Sequence, residues 1–133
     1  MRGGTASCSV TISDESVGSP IIDNPDVLIV MNLPSLDKYE KTVKKGGVIF
    51  VDSTLIERKV VRDDVKVFYI PSTKIAQDMG TPNLANIVLL GKVLKECPEI
   101  GMDGMEEALR KVVSKRPEMY ETNMKAVEAG YNY

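Results

Sequence analysis

Val27-Leu28-Ile29-Val30-Met31 and Val48-Ile49-Phe50-Val51 are continuous apolar runs, separated by a segment with the period of a helix. Runs this short, this apolar and this rich in β-branched residues predict strands covered on both faces, as in a parallel sheet. Between them, Asn32-Leu33-Pro34-Ser35 breaks the first run, with Ser35 as the expected helix cap. Leu36, Tyr39 and Val43 then recur at helical spacing, Lys44 and Lys45 suit the negative end of the helix dipole, and Gly46 or Gly47 suits its stop. Strand, short helix and strand in this order form a βαβ unit. Val65 to Ile70 supplies a third strand of the same kind, after the charged connector Glu57-Arg58-Lys59 to Asp63-Asp64.

Outward from this centre, residues 8–13 (Cys-Ser-Val-Thr-Ile-Ser) alternate and are rich in β-formers. They predict a half-buried strand at an antiparallel sheet edge. Downstream the pattern is helical. Pro71-Ser72-Thr73 opens a segment that Gly80 ends, and Pro82 starts the next helix with Thr81 as cap. Residues 84–94 are apolar nearly all round, which suits a helix buried on the sheet or shared with another chain. Asp103 with Glu106 has the capping-box spacing. Pro117 starts a last helix with the stripe Tyr120, Met124 and Val127, and Gly130 is its expected stop. The expected architecture is a single α/β domain over residues 1–133: three layers, α/β/α, a mostly parallel sheet with an antiparallel edge strand, and a helical C-terminal third.

Composition narrows the chemistry. The chain has 133 residues, 43% hydrophobic and 27% charged, enough for one domain with its own core. With 17 basic against 19 acidic residues there is no cationic excess to neutralise phosphates, so nucleic acid is not an expected partner. Histidine is absent, which excludes Ser-His-Asp and Cys-His catalysis and His-ligated zinc. Two cysteines, Cys8 and Cys97, cannot ligate an iron–sulfur cluster within one chain, and both are expected as buried thiols in a reducing cytoplasm. No run approaches ~18 apolar residues, so no membrane partner is expected.

Ligands of open α/β sheets bind outside the carboxyl ends of the strands. Three short polar loops are expected there: Asn32 to Ser35, Asp52-Ser53-Thr54 and Pro71-Ser72-Thr73. They suit a polar shelf for a ligand, and Ser35, Ser53 and Ser72 equally suit helix caps. Arg2-Gly3-Gly4-Thr5 is a second candidate, because glycines let backbone N–H groups turn toward an anion beside a fixed cation. The chain lacks GxGxxG, GxxxxGK[ST] and GxSxG signatures.

The run Met1 to Val10, Ile12-Ser13, Gly18-Ser19-Pro20, Asn24-Pro25-Asp26 and Met31 to Tyr39 resembles the gamma subunit of 2-oxoacid:ferredoxin oxidoreductases. Asp52 to Ile56, Asn83 to Gly91 and the close from Asn123 to Tyr131 fit the same family, in order along the chain. The Met-Arg-Gly-Gly-Thr-Ala start with Cys-Ser-Val is most similar to the 2-oxoglutarate branch, with the pyruvate and 2-oxoisovalerate branches close. Family members carry a further N-terminal stretch with a Gly-x-Gly-Gly-Gln-Gly turn after a first strand, so the chain resembles the C-terminal two-thirds of such a gamma domain.

The resemblance implies a subunit of a multisubunit enzyme that converts a 2-oxoacid and coenzyme A (CoA) to acyl-CoA and carbon dioxide, reducing ferredoxin. It implies alpha, beta and delta or ferredoxin-like subunits as partners. Thiamine diphosphate and iron–sulfur clusters belong to the assembled complex, and no cofactor is expected on this chain alone. Arg2, Gly3, Gly4, Thr5 and Asn32 match the family's site-facing loops, at the CoA side or the subunit junction, with no catalytic residue and no metal ligand expected. The alternatives are an orphan α/β binding module without activity and an indolepyruvate oxidoreductase subunit. In isolation the chain is expected to be inactive and to form a homodimer.

Overall fold

The computed structural model describes residues 6–19 and 22–133. Three strands form one sheet in the order β1 (Val27–Val30), β2 (Val48–Asp52), β3 (Lys66–Ile70), and both pairings are parallel. Val27 lies opposite Val48, and Val48 opposite Lys66, so the three carboxyl ends align on one edge.

Helix α1 (Leu33–Tyr39) returns the chain from β1 to β2 over one face of the sheet. Leu36 and Val43 bury there with Val30, Ile49 and Val51, and Ile56 closes the cluster from the connector. The opposite face carries Phe50 and Ile70, with Leu89, Val93 and Cys97 of and after α3 (Ala85–Glu96) laid across them. Phe50 and Phe68 stack at 5.3 Å between centroids. Helix α2 (Ser72–Asp78) ends at Gly80, whose φ of +77° favours glycine. Helices α4 (Met102–Val112) and α5 (Met119–Tyr131) stack on α3, burying Leu94, Met105, Leu109 and Val127. The α3 stripe that the sequence left open to a partner chain is therefore covered by this chain itself. The α/β/α sandwich has α1 on one side and α3 on the other, with the last two helices beyond α3.

Several expectations are corrected. Residues 8–13 form no strand, so the sheet has no antiparallel edge among the described residues. Period-two alternation makes a segment competent to be a strand, but a strand exists only with a hydrogen-bonded neighbour. Val10 and Ile12 are instead 71% and 82% exposed. Cys8 is exposed, and only Cys97 is buried. β1 is covered on one face rather than two: Val30 is buried, while Val27 and Ile29 are 37% and 46% exposed. Helix α4 starts directly after Gly101 with Asp103 already in its first turn, so the capping box is not used. Gly130 lies inside α5 rather than ending it. No described helix is long and apolar enough to cross a membrane.

Candidate functional site at the carboxyl edge of the sheet

The three polar loops lie along one edge at the strand ends, and Asp52 joins two of them. It is the last residue of β2 and fully buried. Its Oδ1 accepts from the Thr54 N–H at 3.1 Å and the Thr73 N–H at 3.4 Å, and its Oδ2 accepts from the Thr73 hydroxyl at 2.5 Å. The Lys74 N–H donates to Thr54 Oγ1 at 3.1 Å, and the Ser53 N–H donates to the Ile70 carbonyl at 2.9 Å. The loops after β2 and β3 are thereby fastened to each other. Ser53 serves the backbone ladder rather than a helix cap. Ser72 is fully buried, and its hydroxyl has no hydrogen-bond partner among the described residues.

Asn32 stands at the end of β1. It, not Ser35, caps α1: its Oδ1 accepts from the Ser35 N–H at 2.9 Å. Cap position follows from the helix start at Leu33, one turn earlier than Ser35 would set it. Beside this cap, Ala6 and Ser7 meet Pro34, Ser35, Lys38 and Tyr39 around a shallow cleft of about 220 Å³. The Ser7 hydroxyl, then Lys38, hold the Tyr39 phenol below its ordinary range. Lys38 also sits 5.0 Å from the Tyr39 ring centroid. The residues that follow Arg2-Gly3-Gly4-Thr5 in sequence thus reach the first two turns of α1. Arg2, Gly3, Gly4 and Thr5 themselves lie outside the described residues.

The connector between β2 and β3 carries a second polar network, which the sequence presented only as scattered charge. Arg58 donates to Asp37 and to Glu40, the latter at 2.8 Å. Glu40 is buried and also accepts from the Val61 N–H at 2.7 Å. Burial pushes the Glu40 carboxyl up, but Arg58 and the Val61 N–H outweigh it and hold the group below its usual range. Arg62 donates to Asp64 at 2.8 and 2.6 Å and to the carbonyls of Glu40 and Val43. These contacts strap residues 58–64 to α1 and the turn that follows it. The pairing spans about twenty positions, so no local spacing announces it.

The two cysteines do not fit an iron–sulfur cluster held by this chain alone. Cys97 packs against Phe50 and Leu89, and burial, then Glu99 and Glu96, push its thiol up. Cys8 is exposed elsewhere, and two thiols fall short of the four that a cluster needs. A groove of about 430 Å³ at the α4–α5 corner, lined by Arg110, Val113, Ser114, Pro117 and Tyr120, lies on the outer helices.

Comparison with known proteins places this architecture. The chain is 36% identical over 132 residues to the 2-oxoglutarate synthase subunit KorC of Methanocaldococcus jannaschii, covering 98% of this chain and 70% of that protein. It is 35% identical over 137 residues to the ketoisovalerate oxidoreductase subunit VorA of Methanothermobacter marburgensis, but spans only 28% of that relative's length. Among solved structures, the keto/oxoacid ferredoxin oxidoreductase gamma subunit of Geobacter sulfurreducens superposes with a TM-score of 0.70 at 31% identity, over 80% of this chain and 62% of that one. All 133 residues match one family description, and the chain belongs to the pyruvate ferredoxin/flavodoxin oxidoreductase family.

Proposed function

We propose that this chain is the gamma-type module of a cytoplasmic 2-oxoacid:ferredoxin oxidoreductase. The complex would oxidatively decarboxylate a 2-oxoacid, transfer the acyl group to CoA, release carbon dioxide and pass the electrons to ferredoxin. The observation that carries this reading is the match to KorC across 98% of the chain. The 2-oxoglutarate branch is favoured by that relative, and VorA keeps a branched-chain 2-oxoacid as the second reading.

Within that complex the chain's part is to pack and to position. It has no histidine for proton transfer and two cysteines in unrelated surroundings. Thiamine diphosphate and the clusters would sit on the alpha, beta and ferredoxin-like subunits. Asp52 fastens the loops after β2 and β3, and Asn32 fixes the start of α1. This gives a stiff polar edge from which Arg2-Gly3-Gly4-Thr5 and Asn32 would face the subunit junction and the CoA path. The cleft formed by Ser7, Ser35 and Lys38 supports the assignment, because it ties the segment following Arg2–Thr5 to the Asn32 cap.

Anaerobic co-expression with the alpha and beta subunits of a 2-oxoacid oxidoreductase from the same organism tests the proposal. Stoichiometric co-purification is expected. Elution of this chain alone would favour the orphan binding module.

A further inference from the structure

We infer that the groove at the α4–α5 corner docks an acidic segment of another protein, with carboxylates beside Arg110 and Arg116 and an apolar side chain on the groove floor. Arg110, Val113, Ser114, Pro117 and Tyr120 enclose about 430 Å³ there. From Arg110 to Arg116 the chain carries four cations and no acid, although its net charge is -2. Lys111 is neutralised by Glu107 at 3.0 Å. Arg110, Lys115 and Arg116 have no carboxylate partner among the described residues. Arg110 sits 4.9 Å from the Tyr120 ring centroid, which holds it at the groove without cancelling its charge. Lys115 and Arg116 occupy the turn between the lining residues Ser114 and Pro117.

The helix dipole explains only part of this charge. Arg110 and Lys111 lie in the last turn of α4, where cations are favoured. Lys115 and Arg116 lie beyond that turn, and the dipole gives no reason for an apolar floor left open beside them. Val113, Pro117 and Tyr120 supply the floor, and Val112, next to it in the chain, is 78% exposed. A protein segment meets both demands, since it offers a carboxylate to a guanidinium fork and a side chain to the floor. A long polyanion such as nucleic acid fits less well. Glu118 and Glu121 follow at the start of α5 and confine the run of cations to residues 110–116.

The test is zero-length coupling followed by charge exchange. The tagged chain is treated with a carbodiimide in an anaerobic extract of its source cells, which joins amines to touching carboxylates, and the joined peptides are identified by mass spectrometry. Lys115 should be joined to an aspartate or glutamate of one other protein. That protein is then purified, and its affinity for the chain is measured. Arg110→Glu with Arg116→Glu should weaken binding by about tenfold to a hundredfold, and the neutral pair Arg110→Gln with Arg116→Gln should weaken it less. Changing the coupled carboxylates to lysine should restore binding to the charge-reversed chain. Lys41→Glu, in the turn after α1, should leave binding unchanged. The inference is overturned if Lys115 couples to no other protein, if it couples only within this chain or to a second copy, if nuclease or phosphatidylserine vesicles abolish the coupling, or if neither substituted chain binds the coupled protein more weakly than wild type. None of these outcomes needs CoA or turnover, so the proposed function stands or falls separately.

Discussion

Gly91 of α3 and Gly130 of α5 face each other's helix backbone at one crossing. A Cβ on Gly91 would lie 2.0 Å from the Val127 carbonyl oxygen, and one on Gly130 would lie 1.7 Å from the Val88 carbonyl oxygen. Each glycine therefore meets the backbone one turn before the other, and the two helices touch without intervening side chains. This crossing holds the C-terminal helices on α3, and α3 in turn covers Phe50 and Ile70.

Gly130→Ala and Gly91→Ala should each destabilise the fold by about 1–3 kcal/mol, at the upper end because backbone rather than a flexible side chain is the obstacle. Urea unfolding measures it. A midpoint equal to wild type in either variant would mean the helices are not in contact there.

Asp52→Ala removes the acceptor for the Thr54 N–H, the Thr73 N–H and the Thr73 hydroxyl. Losing these hydrogen bonds to a charged acceptor should cost about 1.5–3 kcal/mol of stability. The loops at residues 53–54 and 71–73 should also exchange amide hydrogens faster. Loss of stability without faster exchange there would place the role of Asp52 in the core rather than at the edge.

Glu40 carries a pH signature. Its carboxyl is held below the usual range when folded, so it binds its proton less readily than in the unfolded chain. The stabilisation is full above the ordinary carboxylate range and is lost as pH falls through the folded value. Melting temperatures of wild type and Glu40→Gln should differ at pH 7 and converge toward pH 3. A constant gap would show that the difference comes from packing rather than charge.

The parallel sheet was legible because β1, β2 and β3 are runs of β-branched and aromatic residues between turn signals. What escaped a reading of the sequence needs a distant partner to be seen. Gly130 looks like a helix stop until α3 lies against it. Arg58 and Arg62 look like surface charge until Glu40 lies below them. Residues 8–13 alternate like a strand, and nothing local records that no described strand lies beside them. Asn32 and Ser35 are both good caps, and the start of α1 at Leu33 decides between them. The carboxyl-edge loops were legible as polar, but the central role of Asp52 was not, because its partner Thr73 lies in the loop after β3, twenty-one positions on.

Arg2→Ala in an assembled complex should raise the KM for CoA by about tenfold to a hundredfold, the loss of one charge-assisted contact worth about 1.5–3 kcal/mol. Assembly should be unaffected. An unchanged KM in an active complex would leave Arg2 as scaffold.

The most direct measurement is reconstitution by omission. The alpha, beta and ferredoxin-like subunits are assembled anaerobically with and without this chain, and CoA-dependent reduction of a viologen dye is followed with 2-oxoglutarate and with 2-oxoisovalerate. The account predicts that 2-oxoacid- and CoA-dependent reduction requires this chain, and that the chain alone shows none. Equal CoA-dependent activity with the chain left out would contradict it.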